Sequence, residues 1–374
     1  EASLALTRLG VNVKGSGLED ASAPPTNSSR VFPFLSKLVS VHGFVANHKL
    51  GLATTALRSL SEQFPENPHL LLERATLDFD LGNLDDSLEI LERLRTLYPR
   101  SVDGGDMQAM VLRIRENPTK LSRLARTLVR LAPNRPEPWI AIALDCSSDT
   151  KSHPKKALEH LSRVLHLHQH HTGALLAMGF LHLRHSDGRR AATSYQRVRE
   201  RVAQGARARF CVYQGLVEAY LQTHEVKRAL ATAKEALEMM PHNPKSLTMI
   251  GIVLSQSPDM RQKAAKAFRK ALSLDPKCVD AVEALSRFYH LEKRYDKIVD
   301  LLKAQLRYRR TDYLHVRLAD AYKMSGQIDE ALEQYHAALS ITPDHREALN
   351  GIETLESSMK DDSMVDDSDR PDEI

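Results

Sequence analysis

A short pattern of small and aromatic residues returns about every 34 residues along most of this chain. In the clearest copy, at residues 313–343, the repeated positions are Leu318, Ala319, Tyr322, Ala331, Tyr335 and Ala338. They divide between two predicted helices, and the copy closes on Pro343, which cannot continue a helix. One helical hairpin cannot bury its own apolar face, so the repetition predicts a stack of hairpins that share a core.

Earlier prolines close further copies at the same step, and the set is Pro65, Pro99, Pro133, Pro241 and Pro276. Three looser copies run through Trp139, Gly179 and Leu285. We therefore count nine copies from about Leu35 to Pro343. This period and these residue types are those of the tetratricopeptide repeat. The sequence predicts an all-α fold, a right-handed superhelix (α-solenoid) of helical hairpins, rather than a generic bundle with accidental spacing.

Composition divides the chain into segments. We predict that residues 1–14 end an earlier helix or repeat and that residues 15–34, rich in Gly, Ser and Pro, are a linker. Residues 35–344 hold the repeats, residues 345–359 a capping helix, and residues 360–374 a disordered acidic tail. Because the chain starts with Glu1 rather than Met, we expect further repeats upstream.

Charge and cysteine content limit the class of protein. The net charge is +4, but the tail from Asp361 carries −6, which leaves +10 on the rest. No apolar stretch approaches the roughly 18 residues that cross a bilayer, so no membrane contact is predicted. Cys146, Cys211 and Cys278 lie far apart, which predicts neither a disulfide nor a metal framework and favours a reducing compartment.

Histidines crowd between two predicted helices, at His166, His168, His170 and His171, with His182 and His185 following. Imidazoles bind zinc, but no Cys or carboxylate accompanies this cluster at zinc spacing. We interpret it as a polar helix end and predict no metal and no cofactor. Motifs for phosphate binding, nucleophilic hydrolysis and metalloprotease chemistry are missing from the sequence, so we predict that the chain is not an enzyme.

Seven arginines lie between Arg189 and Arg209. A basic patch suits nucleic acid or an acidic protein. Only Tyr195 and Phe210 provide aromatic side chains there, and no nucleic-acid-binding motif is present, so we do not expect nucleic acid. An acidic protein contact and a merely solvated helix face both stay open.

The first helix of each tetratricopeptide hairpin lines the concave inner face of the stack, so its positions that point into this groove are the candidate partner-binding residues. They are Gln214, Glu218, Gln222, Lys245, Thr248, Glu283, Arg287, His290, Tyr313, Asp320 and Lys323. Such a mixture suits an extended peptide or a partner helix held by hydrogen bonds and ion pairs. The alternative for any one residue is simple exposure to water.

Four stretches and the tail carry a resemblance to a known family: residues 215–221, 262–268, 329–335 and 343–349. In their order along the chain, they resemble the subunit 7 family of the anaphase-promoting complex, also called the cyclosome. The likeness is strongest from Tyr213 onward and weak before Pro133.

The resemblance implies a non-catalytic scaffold subunit of a ubiquitin ligase that acts in cell division. It implies contacts with other tetratricopeptide subunits, especially subunit 3, and a nuclear and cytoplasmic location. The resemblance also implies a homodimer through N-terminal repeats, which we expect to lie upstream of this sequence, so dimerisation is open. The alternative is a tetratricopeptide adaptor of another assembly: a sister cyclosome subunit, or a chaperone or trafficking adaptor.

Overall fold

The computed structural model describes residues 31–46, 50–147, 154–203, 209–308 and 310–368 of the 374-residue chain. These residues form α-helices and one short 3-10 helix, and no β-strand occurs among them. The predicted all-α class is therefore confirmed. The chain forms two compact units, Glu1–Val253 and Leu254–Ile374.

Unit 1 is a succession of antiparallel helix pairs. The helices are α1 (Val31–Ala46), α2 (Leu50–Gln63), α3 (Pro68–Leu81), α4 (Leu84–Leu97), α5 (Gly105–Ile114), α6 (Pro118–Leu131), α7 (Pro136–Cys146), α8 (Pro154–Leu167), α9 (Thr172–Arg184), α10 (Gly188–Ala203), α11 (Phe210–Gln222), α12 (Val226–Met239) and α13 (Pro244–Ser255), whose last two residues fall in unit 2. The first helices α5, α7, α9 and α11 contact one another, which makes them the inner layer of this unit.

Unit 2 continues with the 3-10 helix Pro258–Met260 and ends on a single long helix. Its helices are α14 (Arg261–Leu274), α15 (Val279–Leu291), α16 (Tyr295–Leu306), α17 (Asp312–Ser325), α18 (Ile328–Ile341) and α19 (Arg346–Ser368). The pairs α15/α16 and α17/α18 are hairpins, and α19 packs on both helices of the second one.

The turn inside a hairpin repeats one backbone geometry. Six turns place one residue in the left-handed region, and these residues are Gly82, Glu116, Ser186, His224, Lys293 and Gly326. In each turn the amide of the next residue donates to the carbonyl five residues before it, at N–O distances of 2.8–3.0 Å. This hydrogen bond satisfies a carbonyl that the helix end leaves unpaired. The chain thus reverses in a few residues, although only two of the six positions carry glycine.

Prolines also begin helices in this fold. Pro68, Pro118 and Pro136 lie in the first turn of α3, α6 and α7, where a fixed φ suits the helix and no amide hydrogen is needed. Before α3, the side-chain oxygen of Asn67 accepts hydrogen bonds from the amides of His69 and Leu70 at 3.0 and 3.3 Å. The cap and the proline together fix where this helix starts.

Large side chains lie against glycines where neighbouring helices meet. The buried ring of Tyr195 on α10 fits between Gly179 on α9 and Gly215 on α11. An added Cβ would lie 2.7 Å from this ring at Gly179 and 2.4 Å from it at Gly215. In unit 2 the ring of Tyr335 meets Gly351 in the same way, with an added Cβ at 2.4 Å. The repeating small and aromatic positions are therefore contact points between helices.

Element ends differ from the prediction at both ends of the described region. Helix α1 starts at Val31, inside the predicted linker at residues 15–34, and residues 1–14 lie outside the described residues. Helix α19 runs to Ser368, past the predicted end of the capping helix at residue 359 and into the segment predicted to be disordered. The sequence between Gly351 and Pro371 holds no glycine or proline to stop it. Among the described helices, none has both the length and the apolar character needed to cross a bilayer.

Candidate partner-binding surface

The inner face of unit 1 includes three predicted residues on α11. Gln214, Glu218 and Gln222 are all exposed, and Gln222 donates from Nε2 to the Leu183 carbonyl at 3.2 Å. Burial against neighbouring groups raises the pKa of the Glu218 carboxyl, and the Arg184 guanidinium partly opposes this shift. The Glu218 carboxyl is thus accessible to water but also partly desolvated by neighbouring protein groups. This combination is expected for a side chain in a recess, such as the inner face of a solenoid.

Two further predicted residues begin the next first helix, α13, and both are used inside unit 1. The ammonium of Lys245 donates to the Gly82 carbonyl at 2.6 Å. Thr248 is buried, and its hydroxyl donates to the Pro244 carbonyl one turn earlier at 3.1 Å. The predicted role of these side chains in partner binding stays a prediction, but their polar atoms already have partners within the fold.

The contact made by Lys245 belongs to a larger one that we call the clasp. The clasp joins the end of α3 to the starts of α11 and α13, and its residues are Asp80, Leu81, Gly82, Arg209, Phe210, Asn243 and Lys245. Arg209 Nε lies 3.2 Å from Asp80 Oδ1, and Asn243 Nδ2 donates to the Leu81 carbonyl at 3.0 Å. The side chain of Asp80 is fully buried.

Cys211 lies next to the clasp, and its thiol is poorly suited to nucleophilic chemistry. Burial raises the pKa of this thiol to about 12, although the nearby Arg209 guanidinium acts in the opposite direction. The thiolate is the reactive form, so this cysteine is a packing residue at neutral pH.

In unit 2 the predicted residues form a connected polar surface along α15 and α17. The hydroxyl of Tyr313 donates to Glu283 Oε1 at 3.1 Å, and the Arg317 guanidinium lies 5.2 Å from the centre of the Tyr313 ring. Arg287 approaches Glu283 at 4.0 Å, while its side chain is 83% exposed. Sequence reasoning missed Arg317, which lies four residues after Tyr313 and therefore on the same helix face.

The C-terminal part of this surface is tied to the last two helices. Asp320 accepts a hydrogen bond from the Tyr335 hydroxyl at 2.7 Å, and the Lys323 ammonium donates to Thr354 Oγ1 at 2.7 Å. His290 is exposed and meets the Tyr295 ring edge-on, with the ring centres 5.8 Å apart. Arg287 and His290 are thus the most accessible predicted residues here, and Asp320 and Lys323 also hold the helices together.

The arginine run contributes to repeat packing. Arg197 and Arg201 on α10 donate to the carbonyls of Gln169 and His170 in the preceding turn, at 3.0 and 3.2 Å, and Arg199 lies 3.4 Å from Glu235. The last histidine of the neighbouring cluster, His171, accepts the Ala174 amide at 3.2 Å and so caps α9. These contacts give three of the seven arginines and one histidine of the cluster a role within the fold.

Comparison with known proteins adds the family. The tetratricopeptide repeat family matches residues 312–345, which contain the copy that is clearest in the sequence. The chain is a tetratricopeptide-repeat protein. It shares 30% identity over 96% of its length with anaphase-promoting complex subunit 7 of Arabidopsis thaliana, and 29% over 81% with that of Dictyostelium discoideum. The predicted resemblance to this family is confirmed.

The chain spans 64% and 52% of the length of these two relatives. A crystal structure titled as the APC/C hetero-tetramer Cut9–Hcn1 matches 88% of the chain and 63% of its own, with a TM-score of 0.58 and 20% identity. This match confirms the repeat fold. The tetratricopeptide solenoid predicted from the 34-residue period is therefore confirmed.

Proposed function

We propose that this tetratricopeptide-repeat protein is a non-catalytic scaffold subunit of the anaphase-promoting complex. The observation that carries the proposal is the likeness to subunit 7 of two organisms, over 96% and 81% of the chain. The protein would support assembly of the ligase and cell-cycle-dependent ubiquitination by protein–protein contacts. We propose other tetratricopeptide subunits as its partners, subunit 3 first, in the nucleus and the cytoplasm.

The surface of unit 2 offers the groups for such a contact. Arg287 and Arg317 expose their guanidinium groups at the two ends of a series of contacts that runs through Glu283 and Tyr313. Arginine and tyrosine are the residue types that most often dominate binding at protein interfaces. We therefore propose that a partner segment carrying carboxylates docks here.

Affinity purification of the tagged chain from dividing cells, followed by mass spectrometry, tests the scaffold role. We expect the other subunits of the complex to co-purify with the wild-type chain. Arg287→Glu should reduce their recovery, because it reverses an exposed charge on the proposed surface. The matched control is Lys270→Glu, which reverses an exposed charge on α14, the second helix of its repeat.

Recovery of chaperones or trafficking proteins without ligase subunits would contradict the assignment to the complex. Equal recovery with the Arg287 variant and the Lys270 control would leave the scaffold role but remove the proposed surface. We also propose that a homodimer forms through N-terminal repeats of the family type. Light scattering of the purified 374-residue chain should then show a monomer, and a dimer would contradict this assignment of the contact. Imaging of the tagged chain tests the location.

A further inference from the structure

We propose that His42, His69 and Glu73 form a binding site for a divalent metal ion of the zinc type in unit 1. Each of these side chains offers one ligand atom, and the three ligand atoms all lie within 4.8 Å of one another. The site joins two helices, since His42 lies on α1 whereas His69 and Glu73 lie on α3.

The local structure of α3 places two of the ligands together. His69 and Glu73 are four residues apart, so their side chains share one face of the helix. His69 lies in the first turn, which Pro68 and the Asn67 cap hold in place. The packing of the α1/α2 hairpin against α3 then brings His42 to this face.

The chemistry of the three groups fits zinc. Two imidazole nitrogens and one carboxylate oxygen are a common ligand set for Zn²⁺, which leaves a fourth tetrahedral position for water. Magnesium and calcium prefer oxygen ligands, so the set selects against them. The cluster at His166–His171, which drew attention in the sequence, is not among the candidate groups of the described residues.

The spacing of the atoms requires only a small adjustment. A point equally distant from three atoms that are 4.8 Å apart lies about 2.8 Å from each, whereas Zn–N and Zn–O bonds are about 2.0–2.2 Å long. Each side chain must therefore move inward by less than about 1 Å, which a small rotation about a side-chain bond provides.

Burial is graded across the site. His42 is only 3% exposed, Glu73 is half-buried, and His69 is exposed. An ion therefore enters from the His69 side and meets the two more buried ligands behind it. Bound metal links the first hairpin of the described region to α3, so it should stabilise the fold by an amount that grows with the logarithm of the ratio of its concentration to its Kd.

The test uses the full 374-residue chain, purified without a histidine tag and stripped with a chelator. Titration calorimetry with ZnCl2 should show one more zinc per chain for the wild type than for His69→Ala. The affinity of this site should fall more than about 100-fold in the variant, because loss of an outer-shell partner alone costs 10–100-fold. Zinc should raise the Tm of the wild type and of the control His290→Ala, whose exposed imidazole lies in unit 2.

Two further measurements separate coordination from an ordinary contact between these side chains. His69→Cys supplies another zinc ligand and should recover much of the zinc binding. Glu73→Gln replaces the carboxylate by an amide of nearly the same shape and should weaken zinc binding. Cobalt(II) should give the visible absorption of a tetrahedral site in the wild type and in His290→Ala, but not in His69→Ala. Equal zinc stoichiometry in the wild type and both ligand-removing variants would overturn the proposal, as would magnesium binding as tightly as zinc.

Discussion

Replacing Gly215 by alanine is the sharpest test of how neighbouring hairpins pack. The new Cβ would lie 2.4, 2.5 and 2.8 Å from three atoms of the Tyr195 ring, whereas carbon atoms in contact are about 3.5–4.0 Å apart. The ring is 4% exposed and meets Gly179 on its other side, so it has little room to retreat.

The two effects of this substitution have opposite signs. Alanine is better than glycine inside a helix by about 1 kcal/mol. Overpacking a filled core costs about 1–3 kcal/mol, and contact with three ring atoms places Gly215 toward the upper end of that range. The net result should be a loss of about 1–2 kcal/mol, which lowers the midpoint of thermal unfolding followed by circular dichroism.

Gly43→Ala is the matched control, because nothing lies within 4 Å of the position of an added Cβ on α1. This variant should gain about 0.5–1 kcal/mol from helix propensity. In a Tyr195→Leu background, the loss at Gly215 should shrink or change sign, because the ring that causes it is gone. If Gly215→Ala stabilises the chain as much as Gly43→Ala does, the Tyr195 ring of α10 does not pack against Gly215 of α11 as described.

Three further substitutions test other levels of the structure. Lys293→Gly should raise the free energy of unfolding, measured by denaturant titration, by about 1 kcal/mol, because residue 293 has φ of 55°, whereas Glu292→Gly next to it should lower that free energy. Ala338→Trp should cost at least about 1–3 kcal/mol at a fully buried position, and an unchanged melting curve would show that the repeat register is wrong. Burial raises the pKa of Asp78 to about 6, so the wild type should lose stability relative to Asp78→Asn as pH rises from about 4 to 6, by up to about 3 kcal/mol. If the difference in unfolding free energy between the wild type and Asp78→Asn does not change with pH, the pKa of Asp78 is not raised.

The repeat fold could be predicted from the sequence because its rules act within about 34 residues. Ala331 and Ala338 are fully buried, as close approach of two helices requires, and Tyr335 fills the space beside them. The hairpin turns were harder to recognise. Glu116, Ser186 and Lys293 occupy the left-handed position with side chains that do not favour it, because tertiary packing outweighs the local preference.

The candidate surface was less predictable, because position in a repeat does not reveal long-range partners. The repeat places Lys245 and Arg287 on inner faces alike. Only the structure shows that Lys245 donates to a carbonyl 163 residues away, whereas the Arg287 side chain stays 83% exposed. The zinc site has the same difficulty, since only the four-residue spacing of His69 and Glu73 is visible in the sequence, and His42 joins them through packing.

The clasp adds a cost to any partner contact that would displace it. Removing one member of a buried ion pair such as Asp80 and Arg209 costs several kcal/mol, because the remaining charge stays buried. A partner that displaced this pair would have to supply an equivalent cation at Asp80 and new acceptors for Lys245 and Asn243. No comparable cost opposes binding at Arg287, which already faces water. Partner recognition should therefore depend more on the polar surface of unit 2, and ligands of unit 1 should be those that leave the clasp closed.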